Sequence, residues 1–264
     1  MIKTTIKNER LLSHQTECLV LFCIEEKIPS GKLAELDTKF KGIIKSSFKN
    51  KRFEGKLNQI LLLNVTKSIR ADHLLLVGLG EGAEMTADKL RQAAGTAAKC
   101  AEKANFKTVS FYIPANNSVK DVYAGLAKSN DSFTQTVVEG GLLSLYHFDK
   151  YKQPAKEKPS RISQIILLAN VKSQVSSMRS AVSRGRKLAT AVAASRDLIS
   201  QPSNTATPSY LAGKAREFAK SFGMTCKVLT VHDMNRLGMG ALLGVSKGSE
   251  EPPAFIILEH HGGT

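Results

Sequence analysis

The first half of this chain alternates short apolar runs with helix-patterned stretches, and few architectures accept that alternation. Glu17–Ile24 (ECLVLFCI), Gln59–Asn64, His73–Gly78 and Thr108–Ile113 are apolar or β-branched runs bounded by polar or turn residues, which is the pattern of strands. Thr86 is placed to cap a helix over Ala87–Ala104, whose small face (Ala94, Ala97, Ala98, Ala101) suits close packing on a sheet. Asp131–Leu145 gives a second helix with Val137, Val138, Leu142 and Leu145 on its buried side. Strand and helix in alternation predict an α/β domain over residues 1–150.

The linking stretch that follows differs in chemistry. Tyr151–Ser160 (YKQPAKEKPS) holds two prolines among charges and amides, which suits an exposed connection. One more strand, Ile165–Ala169, precedes a long helix over Gln174–Ser200 with Met178, Val182, Ala189, Val192 and Ile199 at helical spacing. Gln201-Pro202 ends it, because proline lacks the backbone donor. Beyond it the chain predicts a helix over Pro208–Phe222, a strand at Cys226–Thr230, a short helix at Val231–Leu237 and a buried strand at Ala254–Glu259. Residues 201–264 therefore read as a second α/β domain with two strands.

Composition excludes several classes. A 42% hydrophobic share in 264 residues is that of a globular protein. The apolar runs are far shorter than the roughly 20 residues a membrane helix needs. The start, MIKTTIKNER, has no apolar stretch after its charges, so a cytosolic protein without a secretory leader is expected. Cys18, Cys23, Cys100 and Cys226 show no metal-type spacing and are expected reduced and mostly buried, with Cys18 and Cys23 on opposite faces of one strand.

The formal net charge of +15 is concentrated mid-chain. Lys150 to Lys187 carries ten Lys or Arg against one acid, Glu157, whereas Ala191 to Thr264 is nearly balanced. Lys172, Arg179, Arg184, Arg186 and Lys187 are thus candidate phosphate contacts. With a single aromatic, Tyr151, and no reading motif in the segment, the expectation is a solvated face with at most weak, non-specific nucleic-acid binding.

Three short motifs point to chemistry, and their context argues against each. Gly78-Leu79-Gly80-Glu81-Gly82-Ala83 follows a strand and precedes a helix, as in dinucleotide-binding loops. Glu81 would sit against the phosphates, and the next strand ends Ile113-Pro114-Ala115-Asn116-Asn117 without the acid that holds a ribose. A plain strand-to-helix turn is expected. Gly244-Val245-Ser246-Lys247-Gly248 spells a nucleophile elbow, but Lys-Gly-Ser-Glu-Glu-Pro-Pro cannot supply the helix that must follow, so a loop is expected. His260 and His261 are adjacent on a strand pattern and point apart, while His14, His73, His147 and His232 are scattered, so none is expected to ligate a metal.

Several longer stretches carry a resemblance. Arg196-Asp197-Leu198, the Pro202/Asn204/Thr207-Pro208 turn, Leu237-Gly238-Met239-Gly240, and Lys247-Gly248-Ser249 before Pro252-Pro253 resemble the opening of the catalytic domain of the leucine (cytosol) aminopeptidases. Leu74–Ala94 and Glu139–Lys152 support the match, and residues 1–60 resemble the family only weakly. The resemblance implies a macro-like mixed-sheet N-terminal domain (1–150), a basic linker and long helix (151–200), and a truncated start of an α/β peptidase domain (201–264). It also implies a parent enzyme that uses two divalent ions, manganese or zinc, to remove N-terminal residues, leucine typically, from peptides, and that assembles as a hexamer. The family's ligand segments, VGKGxxFDxGG and NTDAEGRL, do not occur in these residues, so no catalytic or metal residue is assigned and no ion is expected on this chain. The competing class is a basic macro-like module that binds nucleic acid or a nucleotide without hydrolysis.

Overall fold

The computed structural model describes residues 2–25, 31–65, 69–114, 130–153, 161–169 and 171–262. Residues 154–160 of the expected linker and 115–117 after the Thr108–Ile113 strand lie outside the described residues. The chain divides into two compact units, Met1–Ala194 and Ser195–Thr264.

The first unit is built on a six-stranded sheet. Its strands are β1 (Lys3–Asn8), β2 (Thr16–Cys23), β3 (Ile60–Asn64), β4 (Ala71–Gly78), β5 (Thr108–Ile113) and β6 (Gln164–Ala169), in the spatial order β1-β6-β5-β2-β4-β3. All neighbours run parallel except β3, which is antiparallel to β4. The central strands must bury both faces, and Leu74, Leu75, Leu76 and Val77 in β4 are accordingly fully buried in one unbroken apolar run.

Helices cover both faces. On one lie α3 (Ala87–Lys103), α4 (Asn130–Ser144) and the first half of α5 (Val175–Ile199), packed over Val20, Leu75, Val109, Phe111 and Ile165. On the other lie α1 (Gly31–Lys39) and α2 (Ile43–Lys49), which bring Leu36, Phe40 and Ile44 onto Leu19, Leu21, Leu74 and Leu76. Cys18 joins the first core and Cys23 the second, as their odd separation requires. All four cysteines are free; burial pushes the Cys18 and Cys23 thiols up to about 12, while Cys100 and Cys226 are half-buried.

Two local features fix the α3–α4 pair. Thr86 caps α3 as expected, its side chain accepting from Lys89 N. A Cβ on Gly140 would sit 2.2 Å from the Arg91 carbonyl oxygen, so only glycine permits the approach of the two helices. Beside it, Glu139 is almost fully buried and accepts from Arg91 at 2.9 Å and from Gln135 at 2.8 Å.

A break in composition falls near residue 150, and the sheet continues past it. β6 lies between β1 and β5, so the sheet is completed by residues 164–169, and the first compact unit runs to Ala194. The helical face of α5 holds only in part. Met178, Val182 and Ala189 are buried, but Val192 is half-buried and Ile199 is 84% exposed.

In the second unit, α6 (Pro208–Phe222) starts under a Thr207 cap with proline in its first turn and ends at Gly223. β7 (Thr225–Leu229) and β8 (Phe255–Glu259) form an antiparallel pair. Between them run α7 (Val231–Arg236), opened by a Thr230/Asp233 capping box, and α8 (Gly240–Ser246). The buried set is small: Ala212, Ala215, Ala219, Leu229 and Met234. The strand expected to be buried forms at β8, but Phe255 and Leu258 are 37% and 44% exposed. Among the described residues its sheet has only two strands, and that is too little to enclose either face.

Candidate functional site

The glycine turn after β4 is occupied by its own chain. A Cβ on Gly78 would lie 2.0 Å from the Lys56 carbonyl oxygen, Gly80 N donates to Gly55 O, and Leu79 N donates to Cys23 O. The glycines let the 55–56 segment close on the strand end, and no anion cradle results. The elbow motif fares no better. Gly244 to Ser246 is the end of helix α8 rather than the expected loop, and Ser246 Oγ donates back to Leu243 O at 2.9 Å. A helix enters where a strand would have to, so Ser246 is not lifted onto a strained turn. Two glycines in Gly240–Ser246 hide this helix from propensity.

Two of the scattered histidines make contacts within the first unit. His73 lies against Phe106, with 4.6 Å between ring centres, and His147 pairs with Glu102 at 2.9 Å. His260 and His261 are exposed at the end of the second unit. Among the described residues, no three His, Cys, Asp or Glu side chains are grouped to hold a metal ion.

His14 forms an arrangement that sequence reading missed. Its Nδ1 lies 2.7 Å from Glu9 Oε2, its Nε2 lies 2.9 Å from Ser110 Oγ, and Ser110 Oγ lies 2.8 Å from Thr16 Oγ1. An acid, an imidazole and a hydroxyl in that order have the connectivity of a nucleophilic relay. His14 and Ser110 are both fully buried, however, and Ser110 sits in β5 within the sheet, where no substrate reaches it. The relay is a strut that binds the segment between β1 and β2 to the sheet. One signal could have found it: Ser110 is a polar residue inside the apolar run TVSFYI, and a buried hydroxyl needs a partner.

The basic candidates fall on or just before one helix. Lys172 lies in a short turn ahead of α5, which carries Arg179, Arg184, Arg186 and Lys187, and all five are exposed. Ser176, Ser180 and Ser183 are exposed among them, and no acid occurs between Lys172 and Arg196. Arg184 is partly committed to the fold, since its Nε donates to Gln135 Oε1 at 3.0 Å and Nη1 to Ser180 Oγ at 2.9 Å.

Three of the acids after Ser200 are engaged locally. Glu217 pairs with Lys214, Asp233 closes the α7 capping box, and Glu259 accepts from Thr225 Oγ1. Glu250 and Glu251 are exposed ahead of Pro252-Pro253. They sit on a helix face, a helix N-terminus, a strand end and a bend, and do not fit a centre in which several carboxylates bridge two ions about 3.5–4 Å apart.

Comparison with known proteins places these units. Residues 20–155 match the model of the cytosol aminopeptidase family N-terminal domain, and residues 193–264 match that of its catalytic domain. A probable cytosol aminopeptidase of Geotalea uraniireducens is 36% identical over 96% of this chain and 49% of its own length. One from Nostoc punctiforme is 32% identical over 95% of this chain and 48% of its own. The chain thus spans about half the length of the curated relatives it matches. Its fold resembles a tomato leucine aminopeptidase mutant (TM-score 0.80, 19% identity, 98% of this chain and 50% of that one). It also resembles the bottromycin maturation enzyme BotP in complex with Mn (TM-score 0.70, 24% identity, 92% and 45%). With the N-terminal model alone covering more than half of its residues, the chain belongs to the cytosol aminopeptidase family.

Proposed function

We propose that this chain supplies the N-terminal domain and the opening of the catalytic domain of a leucine aminopeptidase-like metallopeptidase. In its complete form the enzyme would remove N-terminal residues, leucine by preference, from peptides, using two divalent ions, manganese or zinc. The observation that carries this reading is the succession of the two family matches along the chain, N-terminal domain first and catalytic domain second. On this reading the metal ligands are not among these 264 residues, which is supported by Glu217 pairing with Lys214, Asp233 closing a cap and Glu259 accepting from Thr225, and by neither ligand segment of the family occurring in the sequence. The cytosol as compartment and a hexamer as the complete protein's assembly belong to the same reading. The family name of the relatives and the lack of any helix long and apolar enough to cross a membrane among the described residues support the first of these.

The test uses this polypeptide alone. Purified with added manganese or zinc, it is expected to retain no stoichiometric metal by mass spectrometry and to release no p-nitroaniline from leucyl-p-nitroanilide. Bound metal together with turnover that a chelator stops would place a working centre within these residues and overturn the assignment.

A second reading has one observation in its favour, the exposed Ser/Arg/Lys face of α5 with no acid between Lys172 and Arg196. Hydroxyls interleaved with guanidinium and ammonium groups suit phosphate oxygens. On this reading Lys172, Arg179, Arg184, Arg186 and Lys187 make weak, sequence-independent contact with nucleic acid, beside the peptidase role.

A further inference from the structure

The two edges of the first unit's sheet differ in chemistry. β1 carries Lys3 and Lys7, and lysines on an edge strand deter pairing with another strand. β3 reads ILLLN, without a charge, and Ile60 and Leu62 are 42% and 38% exposed. Val65 N donates to Asp72 O at 2.9 Å and Gly78 N donates to Gln59 O at 2.8 Å, which fixes the phase of the β3–β4 ladder. Odd-numbered residues turn their main chain toward β4, so Ile60 and Leu62 turn their N–H and C=O groups away from it. Among the described residues no strand lies on that side.

We propose that the β3 edge is a self-pairing surface, through which two copies of this chain join their sheets antiparallel about a two-fold axis at Leu62. Outward main-chain groups of a strand are met in register only by another strand, and this one is its own complement. With Leu62 opposite Leu62 of the second copy, the two residues form a directly opposed pair and exchange two N–H···O=C bonds. Ile60 and Leu62 of both copies then gather on the α3 side of a continuous sheet, where Val77 and Leu75 stand beside them across the β3–β4 ladder. Charge favours the same occupant. The chain carries +15 overall, but Gln59 to Val65 has none, so two copies meet here without like charges directly opposed. A contact of one short strand falls in the transient class, below about 1,200 Å² of buried surface, so the dimer is weak and reversible. It lies in the first unit and does not depend on the peptidase reading.

Sedimentation velocity on the full chain from about 1 µM to about 1 mM, paired with amide exchange by NMR, tests this. The dimer fraction is expected to rise with concentration, and exchange at the Ile60 and Leu62 amides to slow several-fold over the same range. Leu62→Lys, at an exposed position, is expected to keep the melting temperature and abolish both effects. If that variant unfolds, Leu62→Thr replaces it, with weakened slowing at Ile60 as the readout. A monomer at every concentration overturns the proposal. So does an assembly that survives Leu62→Lys, or one that leaves the Ile60 and Leu62 amides unprotected.

Discussion

Single residues decide how tightly the first unit is held, and two of them make sharp predictions. His14 donates to Glu9, which holds the Glu9 carboxyl below its ordinary value of 4.5. A folded value below the unfolded one means that the stabilisation is complete above the ordinary value and lost as pH falls through the lowered one. Melting temperatures between about pH 5 and pH 3 should therefore fall more steeply for the native chain than for Glu9→Gln. Parallel curves would mean that the buried imidazole draws nothing from that charge. Gly140→Ala is expected to cost about 2 kcal/mol or more, because its Cβ would meet the Arg91 carbonyl at 2.2 Å in a packed helix pair. Gly213→Ala, on α6 with nothing within 4 Å of its Cβ, should instead stabilise the second unit by about 0.5–1 kcal/mol. Thermal unfolding of the two variants reads the contrast, and equal effects would deny that packing sets it. One cap was legible at this scale: Thr86 precedes a helix pattern with the right spacing. The His14 strut was not, since Glu9, His14 and Ser110 meet only once the topology brings β5 beside the β1–β2 segment.

Elements with a strong period were visible in the sequence, and those held by tertiary context were not. β2, β4, β5 and β6 are apolar runs that the centre of a parallel sheet demands, and each was placed to within two residues. β1 reads KTTIKN, with lysines at an edge, and offers no such run; it becomes a strand because β6 presents a ladder to it. α8 was masked by its glycines, and the burial of β8 was overestimated because its composition matches a strand covered on both faces. The charge run on α5 was visible as a count but not as a surface: only the structure separates Arg184, bonded to Gln135 and Ser180, from the outer face that holds Arg179 and Lys187. Duplex DNA binding through this face is expected no tighter than roughly 10⁻⁶ to 10⁻⁴ M at physiological salt. The triple change of Arg179, Arg186 and Lys187 to Glu should weaken it further and flatten its salt dependence. Nanomolar, sequence-dependent gel shifts that this variant removes would make nucleic acid a specific partner.

At the scale of the whole molecule, chain order and spatial order diverge at β6. Composition marks a break after residue 150, and the proline- and charge-rich stretch there has the character of a domain boundary. The sheet crosses that break. β6 pairs with β1 along Lys3–Asn8 and with β5 along Thr108–Ile113, so removing it leaves β1 with no neighbour and uncovers β5. It also strips Ile165 and Leu167 from the core under α3 to α5, together with Met178 and Val182 that follow them in the chain. Spacing and periodicity report which segments are strands, but the neighbours of each strand are set by long-range pairing that no local pattern encodes. The consequence can be measured by cutting the chain at one engineered protease site after Lys152, an exposed side chain. The two pieces are expected to stay together in native gel filtration and to part only in denaturant, because β6 is bonded on both sides. Residues 1–152 expressed alone should show no cooperative melt, whereas residues 1–194 should melt in a single transition. A cooperative melt of 1–152 at the temperature of 1–194 would mean that β1 and β5 close without β6, and that the unit ends where the composition changes.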